Sequence, residues 1–208
     1  MAIPVQPFKW IGGALCLDFN NTVDWHHLEP AENDLLVDLE RVAAWGKEAG
    51  LLSPGDQRRL VSAGKAESVD GERAMASVRA ARRTVHGIFY ALARGDKPEL
   101  ESLRDLNRFL ARSPAQVVAA SGARRFRWSW PPEPDAATPV VWSTLWSASQ
   151  LLTASQLIQL KTCANETCGW LFVDVSRKHN RRWCEMGVCG NRAKVRRFYQ
   201  RRKAEGRA

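Results

Sequence analysis

Four cysteines toward the C-terminal end of the chain have the type and spacing of a metal site. They form two close pairs, Cys163-x4-Cys168 and Cys184-x4-Cys189, with fifteen residues between the pairs. Zinc prefers four tetrahedral ligands and binds thiolate sulfur well. The spacing therefore predicts one zinc ion, with an iron–sulfur cluster or four unrelated thiols as the alternatives. Because four protein ligands leave no position for a water molecule, we expect the zinc to be structural.

A histidine in the loop between the cysteine pairs raises the question of catalysis. His179-Asn180 occupies a turn of the kind in which HNH-type nucleases carry catalytic residues. Such a site also needs a His or an acid on the following helix, and positions 190–203 contain neither.

A second polar group lies near the N-terminus. It consists of Asp24, His26, His27 and Glu29. Adjacent residues rarely converge on one ion, so we interpret this segment as a surface loop. The sequence also lacks a Ser/His/Asp motif, a phosphate-binding loop and a dinucleotide fingerprint. We therefore expect a protein that is not an enzyme.

The positive charge is concentrated at one end of the chain. The net charge is +9. Residues 177–208 contain twelve Lys/Arg and two Glu, whereas residues 1–176 contain nineteen Lys/Arg and twenty Asp/Glu. A neutral body with a basic end is typical of a protein that binds a polyanion.

The cations that follow the second cysteine pair have helical spacing. From Gly190 to about Lys203 the chain is rich in helix formers, and Val195, Phe198 and Tyr199 share a stripe that we expect to face the core. Cations flank this stripe on both sides, which suits a helix lying along phosphates. The residues that we expect to contact DNA are Arg177, Lys178, Arg181, Arg182, Arg192, Lys194, Arg196, Arg197 and Arg201. For Arg181, Arg182 and Arg192, a structural role and a contact with DNA are equally open.

The elements that position the cysteines are predicted as a knuckle, a β-hairpin and a helix. Residues 170–175 are apolar and aromatic, as in a strand, and residues 181–183 return toward the second pair. Asp174 is expected to pair with Arg181 or Arg182 across this hairpin. The order is that of a treble-clef zinc finger.

The residues before the finger predict a mainly helical α+β domain with a small antiparallel sheet. We expect helices at 34–50, 54–63, 71–93 and from Pro98 onward, and a buried central helix from Val140 to about Leu160. Strands are expected at 8–11 and 14–19 about a glycine turn, and at 115–120 and 124–130 about Ser121-Gly122. Cys16 would be a buried thiol. The domains are then 1–160 and 161–208.

The cysteine motif resembles that of the CGNR zinc finger family of bacteria. The matching residues are Cys-x4-Cys-x-Trp-x-Phe-x-Asp, then Arg181-Arg182-Trp183-Cys184-x-Met186, then Cys189-Gly190-Asn191-Arg192-x-Lys194. The segment Leu17 to Thr22 resembles the start of the domain that precedes this finger, except that Asn20 stands where the family usually has an apolar residue. The resemblance implies a transcription regulator whose finger binds DNA.

Several functional alternatives remain open from the sequence. The same basic finger could bind RNA or mediate protein interactions. A second hypothesis is that the tryptophan-rich N-terminal domain binds a small-molecule effector. Bacterial regulators are commonly dimeric, but the sequence shows no pattern that marks a dimer interface. No run of eighteen apolar residues and no signal peptide are present, so we expect a cytoplasmic protein that does not enter the membrane.

Overall fold

A computed structural model describes residues 7–24, 34–66, 68–113, 116–119, 126–130 and 135–204. The fold is α+β: mainly helical in its N-terminal region, with two small antiparallel sheets and a cysteine cluster near the C-terminal end. Among the described residues, no helix has both the length and the apolar character needed to cross a membrane. Of the polar group near the N-terminus, His26, His27 and Glu29 lie outside the described residues.

The first element is a short helix, α1, Leu15–Asn20, and the two strands predicted at 8–11 and 14–19 are wrong. Consecutive residues of α1 from Cys16 to Asn20 are buried, which a one-faced strand cannot achieve but a helix enclosed on several sides can. The Asp18 carboxylate accepts a hydrogen bond from the Gly12 amide (2.7 Å), and Gly13 has a φ of 81°. The glycines therefore turn the chain into a helix instead of joining two strands.

Four further helices follow α1. They are α2, Leu39–Glu48; α3, Pro54–Lys65; α4, Val69–Ala93; and α5, Leu100–Arg112. Ser53 and Asp56 form a complete capping box at α3, with Pro54 in its first turn. The predicted helix at 34–50 is shorter, because the Asp38 side chain caps it by accepting from the Arg41 amide.

An antiparallel hairpin separates these helices from the central one. Its strands are β1, Gln116–Ala119, and β2, Phe126–Ser129, within the ranges that the alternating pattern predicts. The predicted turn at Ser121-Gly122 lies outside the described residues. Trp128 of β2 lies against Trp146, with the ring centroids 4.8 Å apart.

The central core helix is α6, Thr138–Leu152, and it ends eight residues before the predicted boundary. Val140, Leu145 and Ala148 are fully or almost fully buried, as expected for a helix that is apolar on several sides. The Thr153 hydroxyl donates back to the carbonyls of Ser149 and Gln150 and so competes with further helix. A 3-10 turn, Ser155–Gln159, follows.

A second sheet joins the body to the finger. Strand β3, Leu160–Thr162, pairs antiparallel with β4, Leu171–Val173, so the predicted pairing of 170–175 with 181–183 is wrong. Residues 181–183 form no strand, because Arg181 turns toward the backbone around the second cysteine pair. The two cysteines of the first pair lie in the connection between β3 and β4.

Strand β4 contributes side chains to two separate hydrophobic cores. Leu171 and Val173 belong to the main core together with Leu17 and Ile88, whereas Phe172 packs with the four cysteines. This alternation follows from the period of two along a strand. The division predicted at residue 160 therefore falls at the first residue of a strand that both parts share.

The last elements carry the second cysteine pair and the basic helix. A π-helical turn, Met186–Gly190, contains Cys189 and leads directly into α7, Asn191–Ala204. A Cβ at Gly190 would lie 2.4 Å from the Met186 sulfur and 3.2 Å from the Trp183 ring, so the turn is tight at this position.

Candidate metal centre and basic surface

The four cysteines of the predicted site come together in one buried cluster. The sulfurs of Cys163, Cys168, Cys184 and Cys189 all lie within 4.8 Å of one another. Two of the separations are 3.7 Å (Cys168 to Cys184) and 3.5 Å (Cys184 to Cys189). Tetrahedral zinc with Zn–S bonds of about 2.3 Å requires sulfurs about 3.8 Å apart. The donor set and its spacing therefore fit one metal ion.

Backbone hydrogen bonds fix the two ligand pairs relative to each other. The Cys163 amide donates to the Trp170 carbonyl (2.8 Å), which closes the connection between β3 and β4. The next amide, that of Ala164, donates to the Arg182 carbonyl (2.8 Å) next to the second pair. Gly169, with a φ of 70°, turns the chain after Cys168. These backbone contacts hold the two ligand pairs next to each other.

One side chain outside the ligand set contacts the cysteine cluster. The Asn165 amide nitrogen lies 3.6 Å from the Cys189 sulfur, and its oxygen accepts from Arg196 (3.3 Å). Such contacts orient ligands and offset thiolate charge. The Asn191 amide, in contrast, donates to the Gly187 carbonyl (3.0 Å). Asn165 was missed, and its only sequence signal is a polar residue inside the knuckle.

Arg181 has an internal role in this structure. Its guanidinium donates to the carbonyls of Trp183, Cys184 and Ile11. It also lies over the Phe172 ring, 4.1 Å from the centroid. These contacts tie the second ligand pair to both β4 and the N-terminal segment, so we leave Arg181 out of the surface described below.

Asp174 also differs from the expectation, because it pairs with Lys161 and not with an arginine side chain. The Lys161 ammonium lies 2.6 Å from its carboxylate, and Ser176 and the Arg181 amide donate to it as well. Burial by itself raises the pKa of Asp174, but these hydrogen bonds outweigh it and hold the pKa below its usual range. The carboxylate thus organises the loop that follows β4.

Most of the predicted DNA-contacting cations are exposed. The exposed members are Arg177, Lys178, Arg182, Arg192, Lys194, Arg197 and Arg201. We call these seven residues the basic surface. Arg196 is partly buried and pairs with Glu166 (2.6 Å), so it holds α7 against the knuckle. No acidic residue occurs between Asn191 and Ala204, so these cations have no compensating charge within α7.

The apolar stripe of α7 is exposed, which corrects the expectation that it faces the core. Val195, Phe198 and Tyr199 are 55%, 56% and 65% exposed. The helix packs on the π-helical turn that precedes it, and the partly buried residues of its first turns are Ala193 and Arg196. The helix thus presents both aromatic and cationic side chains to solvent.

Polar groups between Gly12 and Val23 form hydrogen bonds that hold the finger against the body. The Asn21 side chain accepts from the Leu171 amide (2.9 Å) and donates to the Leu171 carbonyl (2.8 Å), as a paired strand would. The Val173 amide donates to the Gly12 carbonyl, and the Trp170 indole donates to the Val23 carbonyl. Asn20 is buried and forms hydrogen bonds with His86 and Asn21.

Three buried or partly buried groups in this region have shifted pKa values. Burial raises the pKa of Asp18 to about 6, against the opposing hydrogen bond from Gly12. Burial lowers the pKa of His86 to about 4, so this imidazole is neutral at pH 7. Cys16 is fully buried as expected, and burial raises the pKa of its thiol to about 12, which makes it unreactive.

Comparison with known proteins agrees with this architecture. Residues 159–202 match the family model described as CGNR zinc finger. Residues 13–155 match the ABATE family model, described as a putative stress-induced transcription regulator. No curated protein matches the chain. Since the second match spans well over half of the chain, the protein belongs to the ABATE family and carries a CGNR zinc finger after the ABATE domain.

Proposed function

We propose that this protein is a transcription regulator that binds double-stranded DNA through the basic surface, with one structural zinc ion holding that surface in place. The observation that carries the proposal is the exposure of α7, which is cationic along its whole length and contains no acid. Cations in this arrangement contact phosphates and release counterions from DNA.

Zinc is the metal we propose for the cysteine cluster. Four buried cysteine sulfurs this close together suit tetrahedral zinc, and as four ligands they would leave no open position for substrate or water. The ion would fix the knuckle and the start of α7. We propose no catalytic role for this centre or for the rest of the chain.

The N-terminal body is proposed to be the regulatory part. It contributes the two hydrogen bonds between the Asn21 side chain and the backbone of Leu171, which we call the Asn21 clamp. It also shares its core with β3 and β4, so a change in the body can reach the finger. We further propose that the protein acts in the cytoplasm. A homodimer would place two basic surfaces on one DNA site.

RNA binding is the second candidate, and one observation favours it. Phe198 and Tyr199 are exposed among cations, and exposed aromatic rings stack on unpaired bases. A competition experiment between a labelled duplex and unlabelled single-stranded RNA separates the two candidates. A protein-interaction finger would bind neither with a steep salt dependence.

The test of DNA binding removes three cations from α7. In the triple variant Lys194→Ala, Arg197→Ala, Arg201→Ala, we expect duplex affinity to fall at least a hundredfold with zinc content unchanged. Arg196 is left intact because it pairs with Glu166. The matched control is Arg58→Ala, Arg79→Ala, Arg83→Ala, which removes the same charge from exposed positions of α3 and α4. Equal affinity in the two triple variants would refute the assignment of α7.

A further inference from the structure

A cavity of about 340 Å³ lies in the N-terminal body between α1, the start of α3, β2 and α6. Its volume is within the range of small-molecule sites. Three tryptophans, Trp128, Trp130 and Trp146, contribute to its walls. It does not include any of the four cysteines or the basic surface, so it belongs to neither part of the site described above.

The aromatic wall of this cavity is only partly covered. Trp128 is 41% exposed, and its ring meets Trp146 at an angle of 51°. Leu15 adds apolar surface from the first residue of α1. A planar molecule inserted against these rings would remove apolar surface from water and gain stacking contacts.

A hydroxyl group on the cavity wall can donate a hydrogen bond. Ser147 lines the cavity, and its hydroxyl oxygen accepts from the Cys16 amide (3.2 Å). The hydroxyl proton can therefore be donated to an acceptor of a bound molecule.

We propose that this cavity binds a planar aromatic molecule that carries a hydrogen-bond acceptor. The tryptophans select a flat apolar ligand, and the acceptor receives the hydroxyl proton of Ser147. The proposal deepens the proposed function, on which it rests for its regulatory meaning, because it gives the regulator an effector site.

The cavity is connected to the finger through α1. Leu15 lines the cavity, and the Asn21 clamp on Leu171 directly follows the last residue of this helix. Six helical residues span about 9 Å, so the cavity wall and the clamp are close together. Movement of α1 on ligand binding would therefore displace β4, whose Phe172 packs against the cysteine cluster.

Two probes of the same shape test the ligand class. Quinoline has a ring nitrogen that accepts a hydrogen bond, and naphthalene does not. With 5-fluorotryptophan in the full chain, we expect quinoline to shift the fluorine resonances of Trp128 and Trp146 saturably. Trp10 is the internal control, because it is 42% exposed but does not line the cavity.

Variants assign the two recognition features separately. Trp128→Ala should weaken quinoline at least tenfold, whereas Trp10→Ala should leave its affinity unchanged. Ser147→Ala should remove the advantage of quinoline over naphthalene. Absence of a saturable shift at Trp128 and Trp146, or an equal shift at Trp10, would overturn the site. A preference for quinoline that survives Ser147→Ala would overturn the acceptor. Both measurements omit nucleic acid, so the site and DNA binding can fail independently.

Discussion

At the scale of single residues, Asn21 joins the two parts of the chain. Its amide makes two hydrogen bonds to the backbone of Leu171 and accepts a third from Asn20. All these groups are buried, so water cannot replace a lost partner. Asn21, near the start of the N-terminal domain, therefore holds β4 of the finger in place.

Asn21→Ala is expected to lower the free energy of unfolding by about 2–4 kcal/mol, since it leaves an amide and a carbonyl of Leu171 unsatisfied. Urea denaturation of the zinc-loaded protein measures this. Asn107→Ala, on the exposed face of α5, is the matched control and should change stability by less than about 0.5 kcal/mol. An equal effect of the two substitutions would show that the clamp contributes nothing.

Asp18 supplies a prediction on pH. Its pKa is raised to about 6 by burial, so the fold prefers the protonated carboxyl, and this stabilisation is lost as pH rises from about 4 through about 6. Asp18→Asn keeps an acceptor for Gly12 without a charge. Relative to this variant, the wild type should lose roughly 2 kcal/mol between pH 4 and pH 7.

The quantity to measure is the difference in stability between the wild type and Asp18→Asn at each pH. His86 titrates over the same range with the opposite sign, and acid also releases zinc, but both effects are common to wild type and variant. Thermal unfolding of each protein across this pH range gives the difference. A constant difference would mean that Asp18 ionises normally.

Residue roles were predictable where neighbours in sequence decide them. The four cysteines could be assigned because ligand type and spacing are local. Arg181 and Asn165 could not, because the direction of a side chain depends on the backbone that it meets after folding. The Asp174 and Lys161 pair was missed for the same reason, since the partner strand was assigned incorrectly.

At the scale of elements, helices were predictable where capping residues mark their ends. Ser53-Pro54 marks the start of α3 correctly, and the helices predicted at 71–93 and from Pro98 onward correspond to α4 and α5. Residues 14–19 looked like a strand because a short apolar run has no period that separates strand from buried helix. Strand β3 was not predicted. It begins at the predicted end of α6, and Leu160 to Thr162 gain their order from pairing with β4, which is distant in sequence.

The element most dependent on metal is α7. Its first turn continues from the Cys189 turn, and its other exposed residues lack packing on the body. Cys184→Ser is expected to lose stoichiometric zinc and the helical circular dichroism of α7, because metal binding supplies the folding energy of such short units. Metal analysis and spectra of the purified variant test this. Cys16→Ser should retain full zinc, and a Cys184→Ser protein that does the same would disprove the ligand set.

At the scale of the whole molecule, body and finger behave as one packed unit. Leu160, Leu171 and Val173 lie in the main core, and Lys9 pairs with Glu185 across the two parts (2.9 Å). This sharing was not predictable from composition, because the charge contrast between body and C-terminal end suggests two independent units.

Removal of the metal should therefore destabilise the body as well as the finger. With a strong chelator and a reductant present, we expect amide exchange in α1 to accelerate at least tenfold, because β4 no longer holds the Asn21 clamp in register. Hydrogen exchange read by mass spectrometry gives the rate for each segment. Exchange in α5, which lies outside the shared strands, serves as the internal reference. Unchanged protection of α1 after zinc loss would mean that the two parts are independent.

The central claim is that zinc holds a basic helix against the phosphates of duplex DNA. The most direct measurement is the dependence of duplex affinity on salt, read by fluorescence anisotropy for the zinc-loaded protein. We predict that the logarithm of affinity falls linearly with the logarithm of salt concentration, with a slope of about −4 to −6 for five to seven phosphate contacts. Chelation should abolish this binding. A slope near zero, or a slope that is unchanged without zinc, would contradict the account.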